Sequence, residues 1–236
     1  MTNQEILKQF CVDAKSLVEK TKIAKDTDFL LYLFNKLNKN EIDIIPCLNV
    51  LGAAYSVART TAIKTKSDRL CELLGAARPL FSQYDITSSH PVSDDLIRLF
   101  SDKTCGSRVD GNTIVSLISK YGYFITGRRF PIFDNFARDT LFMVLSKFDI
   151  KYGQKNDEIV FFNNYARLLN LLSVDVSFIQ YTDAFLWLYG NMRSLEDRAS
   201  TNTDVDWWNK TCGFLGTPEF LNWYIKVKKF LTNCNE

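Results

Sequence analysis

Apolar residues recur every three or four positions along most of the chain. That is the spacing of one helix face, not the alternation of a half-buried strand. Ile6, Phe10, Ala14, Leu17 and Val18 fall on one face of a first helix, with Lys and Glu opposite. Asp28 is a candidate cap for a second helix over Phe29 to Leu37. Residues 41–59 predict a third, more buried helix, with Pro46 acceptable in its first turn. Ser67 to Leu74 predicts a helix closed by Gly75, followed by turns over 76–92, where Pro79, Ser88-Ser89 and His90-Pro91 cluster. Ser93 caps a short helix from Asp94 to Phe100, and a polar stretch follows over 101–112. Thr113 to Phe124, Asp134 to Phe148, Asp157 to Leu172 and Asp175 to Tyr189 continue the helical spacing. Residues 194–213 are polar and irregular apart from Trp207-Trp208, and Pro218 opens a last helix to Leu231. Lys151 to Val160 has room for a β-hairpin, and nothing else suggests sheet. No internal repeat or low-complexity segment is present. The predicted class is all-α.

Composition narrows this further. With 46% hydrophobic and 24% charged residues, the 236-residue chain has the make-up of a globular protein with a real core. Ten Gly and five Pro are too few for the many turns of a β-sandwich or barrel. A single His, His90, excludes His-cluster metal sites and leaves little room for imidazole acid–base chemistry. Six cysteines stand apart with no C-x-x-C pair, so they read as small buried hydrophobes, and neither a metal nor a cofactor is expected. The first residues are polar and no apolar run is long enough for a membrane span, so a cytoplasmic, reduced setting and a monomer away from membranes are the expectation. The formal charge of +2 excludes nucleic-acid binding by overall charge and leaves a local basic groove open.

One stretch carries chemistry. Residues 116–141 read as a helix, a short loop Thr-Gly-Arg-Arg-Phe-Pro-Ile-Phe, then Asp134 and a new helix, Asn-Phe-Ala-Arg-Asp-Thr-Leu. This run resembles the helix-hairpin-helix superfamily of DNA glycosylases, above all its adenine mismatch branch, which has a closely similar Gly-Arg-Arg-Phe-Pro-Ile-Phe-Asp-Asn-Phe-Ala-Arg segment. The resemblance implies two helical subdomains with an intervening cleft. The approximate lobes are 41–149, with the hairpin and Asp134, and 1–40 plus 150–236. It also implies that Asp134 is the catalytic carboxylate acting on a flipped-out modified or mispaired base in double-stranded DNA. The chemistry is coherent. Cleaving an N-glycosidic bond builds positive charge on the sugar, and a fixed carboxylate stabilises that charge and orients a water. On the residues alone, Asp134 is equally a plain helix N-cap after a proline turn.

The departures from the family are specific. The hairpin usually reads Leu-Pro-Gly-Val-Gly; here the corresponding segment is Gly106-Ser107-Arg108-Val109-Asp110-Gly111-Asn112-Thr113. Arg108, Gly111, Asn112 and Thr113 are its candidate phosphate contacts, or an ordinary capped loop. Bifunctional members, such as 8-oxoguanine glycosylases, place a nucleophilic Lys about five helical turns ahead of the Asp. Here Val115 and Ser116 stand in that neighbourhood, which resembles the monofunctional branch and implies hydrolysis by water. Lys120 is read first as a solvated helix lysine, and as an amine nucleophile if the loop is shorter than the family's. Cys212 and Cys234 alone cannot form the iron–sulfur cluster of the adenine branch. Arg128, Arg129 and Arg138 are candidate DNA contacts, and with Arg108 they should lie on one side. Tyr121 and Tyr123 are candidates for a base pocket. Trp207-Trp208 would stack bases or dock on the core, and Arg59, Lys64, Lys66 and Arg69 form a short basic run. The alternative is a catalytically inactive helical module that binds DNA or a protein partner.

Overall fold

The computed structural model describes residues 1–54, 67–88, 90–101, 115–154, 157–199 and 217–232. Among them the protein is all-helical. The helices are α1 (Asn3–Glu19), α2 (Lys22–Asn38), α3 (Ile44–Ala54), α4 (Ser67–Phe81), α5 (Asp94–Phe100) and α6 (Val115–Ile125). They continue with α7 (Asn135–Lys147), α8 (Glu158–Leu171), a 3-10 turn (Val176–Phe178), α9 (Ile179–Ala199) and α10 (Pro218–Thr232). No strand occurs among the described residues, and the hairpin considered over 151–160 is absent from those of its residues that are described.

Local chemistry sets several boundaries. Thr2 opens α1 with a capping box: its hydroxyl accepts from the Glu5 amide (3.2 Å), and the Glu5 carboxylate accepts from the Thr2 amide (2.7 Å). Leu7, Cys11 and Ala14 then recur at helical spacing and are fully buried. Ser93 caps α5 through the Leu96 amide, as its sequence implies. Three expectations need correction. Helix α2 begins at Lys22, so Asp28 is not its cap but lies within it. Gly75 does not stop α4, because Leu74, Ala77 and Phe81 continue one buried face to Phe81, and Pro79 falls only in the last turn. Asp175 caps the 3-10 turn rather than a helix, and α9 begins at Ile179 and runs on to Ala199.

The helices pack in two groups. Helix α1 packs on α9 and α10, and α7 packs on α8, α9 and α10. Helix α2 packs on α3 and α6, and α4 on α3, α5 and α6. Thus α2 and α7 both make their main contacts across the lobe boundaries expected from the sequence. The chain passes between the groups at the α1–α2 junction and again over residues 126–134. One hydrophobic cluster runs through both groups. Helix α6 lies deep in it: every residue from Leu117 to Ile125 is buried. Gly122 makes this possible. A Cβ there would lie 2.5 Å from the Phe81 ring and 2.9 Å from Phe130. Without it those rings meet edge to face, 5.1 Å apart.

No helix among the described residues is long and apolar enough to cross a membrane.

Candidate active site

The second crossing between the groups begins where α6 ends. Gly127, at φ +65°, permits a Schellman closure, in which the Gly127 amide donates to the Phe124 carbonyl (3.2 Å) and the Arg128 amide to the Tyr123 carbonyl (2.6 Å). Arg128 follows at φ +72°, an uncommon conformation for a residue with a Cβ. Its guanidinium holds it there, donating to Asp28 on α2 (3.0 Å) and to Gln180 on α9 (3.1 Å). Arg128 therefore ties the two groups together. Phe130 is then fully buried among Phe81, Tyr84, Phe100 and Phe162.

After Pro131 the chain lies outside any helix until α7, and its amides need acceptors other than a helix ladder. The Ile132 amide donates to Asp183 Oδ2 on α9 (3.4 Å), and the Phe133 amide donates to Ser119 Oγ on α6 (2.9 Å). Asp134 itself is extended (φ −147°, ψ 146°) and caps α7, with Oδ1 accepting from the Phe136 amide at 2.8 Å. It is half-buried and makes no ion pair among the described residues. The N-cap expected from the sequence is therefore present, and it leaves the second carboxylate oxygen without a bond to the cap.

Lys120 overturns its first reading as a solvated lysine. It is only 3% exposed, because α6 is surrounded on nearly all sides. Its ammonium nitrogen lies 2.5 Å from Ser116 Oγ and 3.4 Å from the Ser116 carbonyl. Burial holds its pKa below the ordinary lysine value, against the opposing pull of Asp134 and Asp183. Asp183 is buried, and that burial pushes its carboxyl well above the usual carboxylate range. The Tyr165 hydroxyl (2.7 Å), the Ile132 amide and the charge of Lys120 oppose the shift. Asp183, Tyr165 and Ser119 were not singled out from the sequence. The available signal was an aspartate on the inward stripe of a helix, between Ile179 and Leu186.

The other candidates separate. Tyr121 and Tyr123 are core residues rather than pocket walls. Tyr121 packs on Phe34 (5.5 Å) and Phe81 (5.8 Å), with its hydroxyl pushed up to about 12 chiefly by burial. Tyr123 meets Phe124 edge to face. Arg128 and Arg138 are engaged with carboxylates, Arg138 with Asp139 at 3.2 Å, whereas Arg129 is exposed. Arg108, Gly111, Asn112 and Thr113 lie outside the described residues, as do Trp207-Trp208, Arg59, Lys64 and Lys66. Arg69 pairs with Glu72 on its own helix.

A groove of about 560 Å³ is lined by Asn38, Arg78, Phe81, Tyr84, Thr126 and Arg129, among others, and by neither Asp134 nor Lys120. The C-terminal ends of α2, α4 and α6 converge there. Arg78 donates to the Asn38 carbonyl (2.8 Å) and the Asn38 amide group to the Ile125 carbonyl (2.9 Å). These bonds satisfy helix-end acceptors, and the convergent negative dipole ends disfavour an anion. Among the described residues no group of three or more His, Cys, Asp or Glu is placed to hold a metal ion.

No protein-family model matches the chain, and no match is found among curated proteins or solved structures.

Proposed function

We propose that the protein is a DNA glycosylase of the helix-hairpin-helix type, hydrolysing the N-glycosidic bond of a modified or mispaired base flipped out of double-stranded DNA. The observation that carries this reading is the setting of Asp134. It is a half-buried carboxylate capping a helix at a crossing between two helical groups, inside the Phe-Pro-Ile-Phe-Asp context that resembles the family. In the reaction the bond from C1′ to the base nitrogen breaks. The base leaves with the electron pair and takes up a proton. The sugar becomes an oxocarbenium ion beside the Asp134 carboxylate. Water then adds its oxygen to C1′ and gives up a proton, leaving an abasic sugar. Asp134 suits the charge-stabilising role because its Oδ1 is fixed by the Phe136 amide and cannot swing with the reaction. A two-lobed clasp around the duplex fits this chemistry, since the target atom lies inside the base stack.

The buried Lys120 supports a second reading of the same site. Once it has given up a proton, its amine would attack C1′, the base leaving with the electron pair, and form an imine in place of the water product.

The test is base release from duplexes carrying a panel of modified bases, with wild type and Asp134→Asn side by side. Loss on the order of 10²-fold in the variant is expected. Borohydride trapping of a covalent complex, abolished by Lys120→Met, selects the amine route; its absence selects water. Duplex binding with no release from any substrate selects the inactive binding module.

A further inference from the structure

We propose that Asp183 is a positioning residue of the Asp134 site: it holds the non-helical segment that delivers Asp134, as Ser119 does from a different helix. The inference rests on the glycosylase reading, because Asp183 has this task only if Asp134 is the working carboxylate.

The geometry is a two-sided grip. Ile132 and Phe133 immediately precede Asp134, and neither amide has a helix carbonyl to bond. One goes to Asp183 on α9 and the other to Ser119 on α6, two helices that belong to different packing groups. Ser119 is itself set by a bond from its hydroxyl to the Ser116 carbonyl at 3.2 Å. Asp183 is set by Tyr165, whose hydroxyl lies 2.7 Å from Oδ1 and 3.2 Å from the Ile179 carbonyl. With Oδ1 engaged by Tyr165, Oδ2 is aimed at the Ile132 amide. The planar carboxyl converts one fixed oxygen into the direction of the other.

A packing role alone does not explain Asp183. A carboxyl at a buried position on an apolar helix face is costly, and an aliphatic side chain would fill the space without that cost. What the carboxyl adds is two acceptors with a fixed separation. Lys120, Tyr84, Tyr165 and Asp134 are the titratable groups whose fields reach it. Buried groups that support a reacting side chain act through placement, and an error of about 1 Å in that placement costs on the order of 10²-fold in rate.

The experiment measures single-turnover base release and duplex affinity for wild type, Asp183→Ala, Asp183→Asn and Ser119→Ala. It adds hydrogen exchange at the Ile132 amide by NMR. Asp183→Ala is expected to slow release by about 10- to 100-fold with duplex Kd unchanged, and to speed exchange at Ile132. Asp183→Asn keeps one acceptor oxygen for Ile132, and its amide group can donate to Tyr165, so it should recover most of both losses. Ser119→Ala, which deletes a single oxygen, should slow release in the same way and keeps the proposal testable if Asp183→Ala does not fold. Release by Asp183→Ala at the wild-type rate overturns the proposal, and so does Asp183→Asn as impaired as Asp183→Ala. With Ser119→Ala as the sole soluble variant, its release at the wild-type rate does the same. Absence of release by wild type overturns the glycosylase reading and this proposal with it; normal release with an indifferent Asp183→Ala overturns this proposal alone.

Discussion

Alanine at Gly190 should destabilise the protein, whereas alanine at Gly75 should stabilise it. Both glycines lie inside helices, so the chemical change and the gain in helix propensity are the same. The surroundings differ. A Cβ at 190 would stand 2.4 Å from the Phe136 carbonyl oxygen and 2.8 Å from its carbon, while a Cβ at 75 meets nothing within 4 Å. Real Cβ atoms essentially never come closer than 3.0 Å to such neighbours, so α9 and α7 must separate by at least about 0.6 Å. No rotamer change relieves the clash, because the obstacle is backbone. Overpacking of this kind costs about 1–3 kcal/mol, and propensity returns up to about 1 kcal/mol. At the middle of these ranges the net loss is about 1 kcal/mol, which lowers the Tm of a chain this long by about 2–4 °C. At Gly75 only the propensity gain of about 0.5–1 kcal/mol remains, a rise of about 1–4 °C. Thermal unfolding followed by circular dichroism at one pH and scan rate reads both. The displacement at 190 also reaches the site, since Phe136 donates its amide to Asp134 and its carbonyl accepts from Thr140. On the proposed glycosylase reading, base release should therefore fall in Gly190→Ala and stay at the wild-type level in Gly75→Ala. Shifts of the same sign in the two variants, or a Gly190→Ala protein as stable as wild type, would refute the close approach of α7 and α9.

Further outcomes follow from other parts of the fold. Phe130→Ala empties a fully buried site among four aromatic rings and should cost about 3–5 kcal/mol in urea unfolding. Lys120→Met replaces a buried amine by an apolar chain of similar length. Because the desolvation cost of the buried amine is removed, the variant should be as stable as wild type or up to about 1 kcal/mol more so, and a lower Tm would show the amine to be a net stabiliser. Glu196 on α9 accepts from Lys228 and from the Tyr224 hydroxyl on α10, and those bonds hold its carboxyl below the ordinary value, Lys228 first. Its folded pKa is depressed, so its contribution is present above the unfolded value and lost as pH falls through the folded one. Because the side chain is about half exposed, about 0.5 kcal/mol is expected; Glu196→Gln should remove that part of the acid-side loss, and an unchanged pH–stability curve would contradict it.

Much of the helix inventory is legible in one dimension because caps and apolar spacing are local. Ser93 before Asp94, Asp134 before Asn135, Asp157 before Glu158 and Pro218 all mark starts that the structure repeats. Boundaries are misread where local signals compete with burial. Gly75 has the residue type of a helix stop, yet Ala77 and Phe81 extend the buried face beyond it. Asp28 has the type of a cap, yet it sits inside α2 and faces the Arg128 guanidinium. Tyr121 and Tyr123 suggested a pocket because aromatic rings suit both a base and a core, and α6 is enclosed on nearly all sides.

The all-α class and the position of Asp134 at a helix start depend on neighbours in the chain, and so could be read without a structure. The environment of Asp134 depends on residues far from it. Asp183 reaches Ile132 across 51 positions, and Arg128 reaches Asp28 across 100. Whether Lys120 is a solvated cation or a buried amine has no local signature, because a lysine in a helix has the same sequence in both cases. It is decided by which helices cover α6, and desolvation is a property of that three-dimensional enclosure.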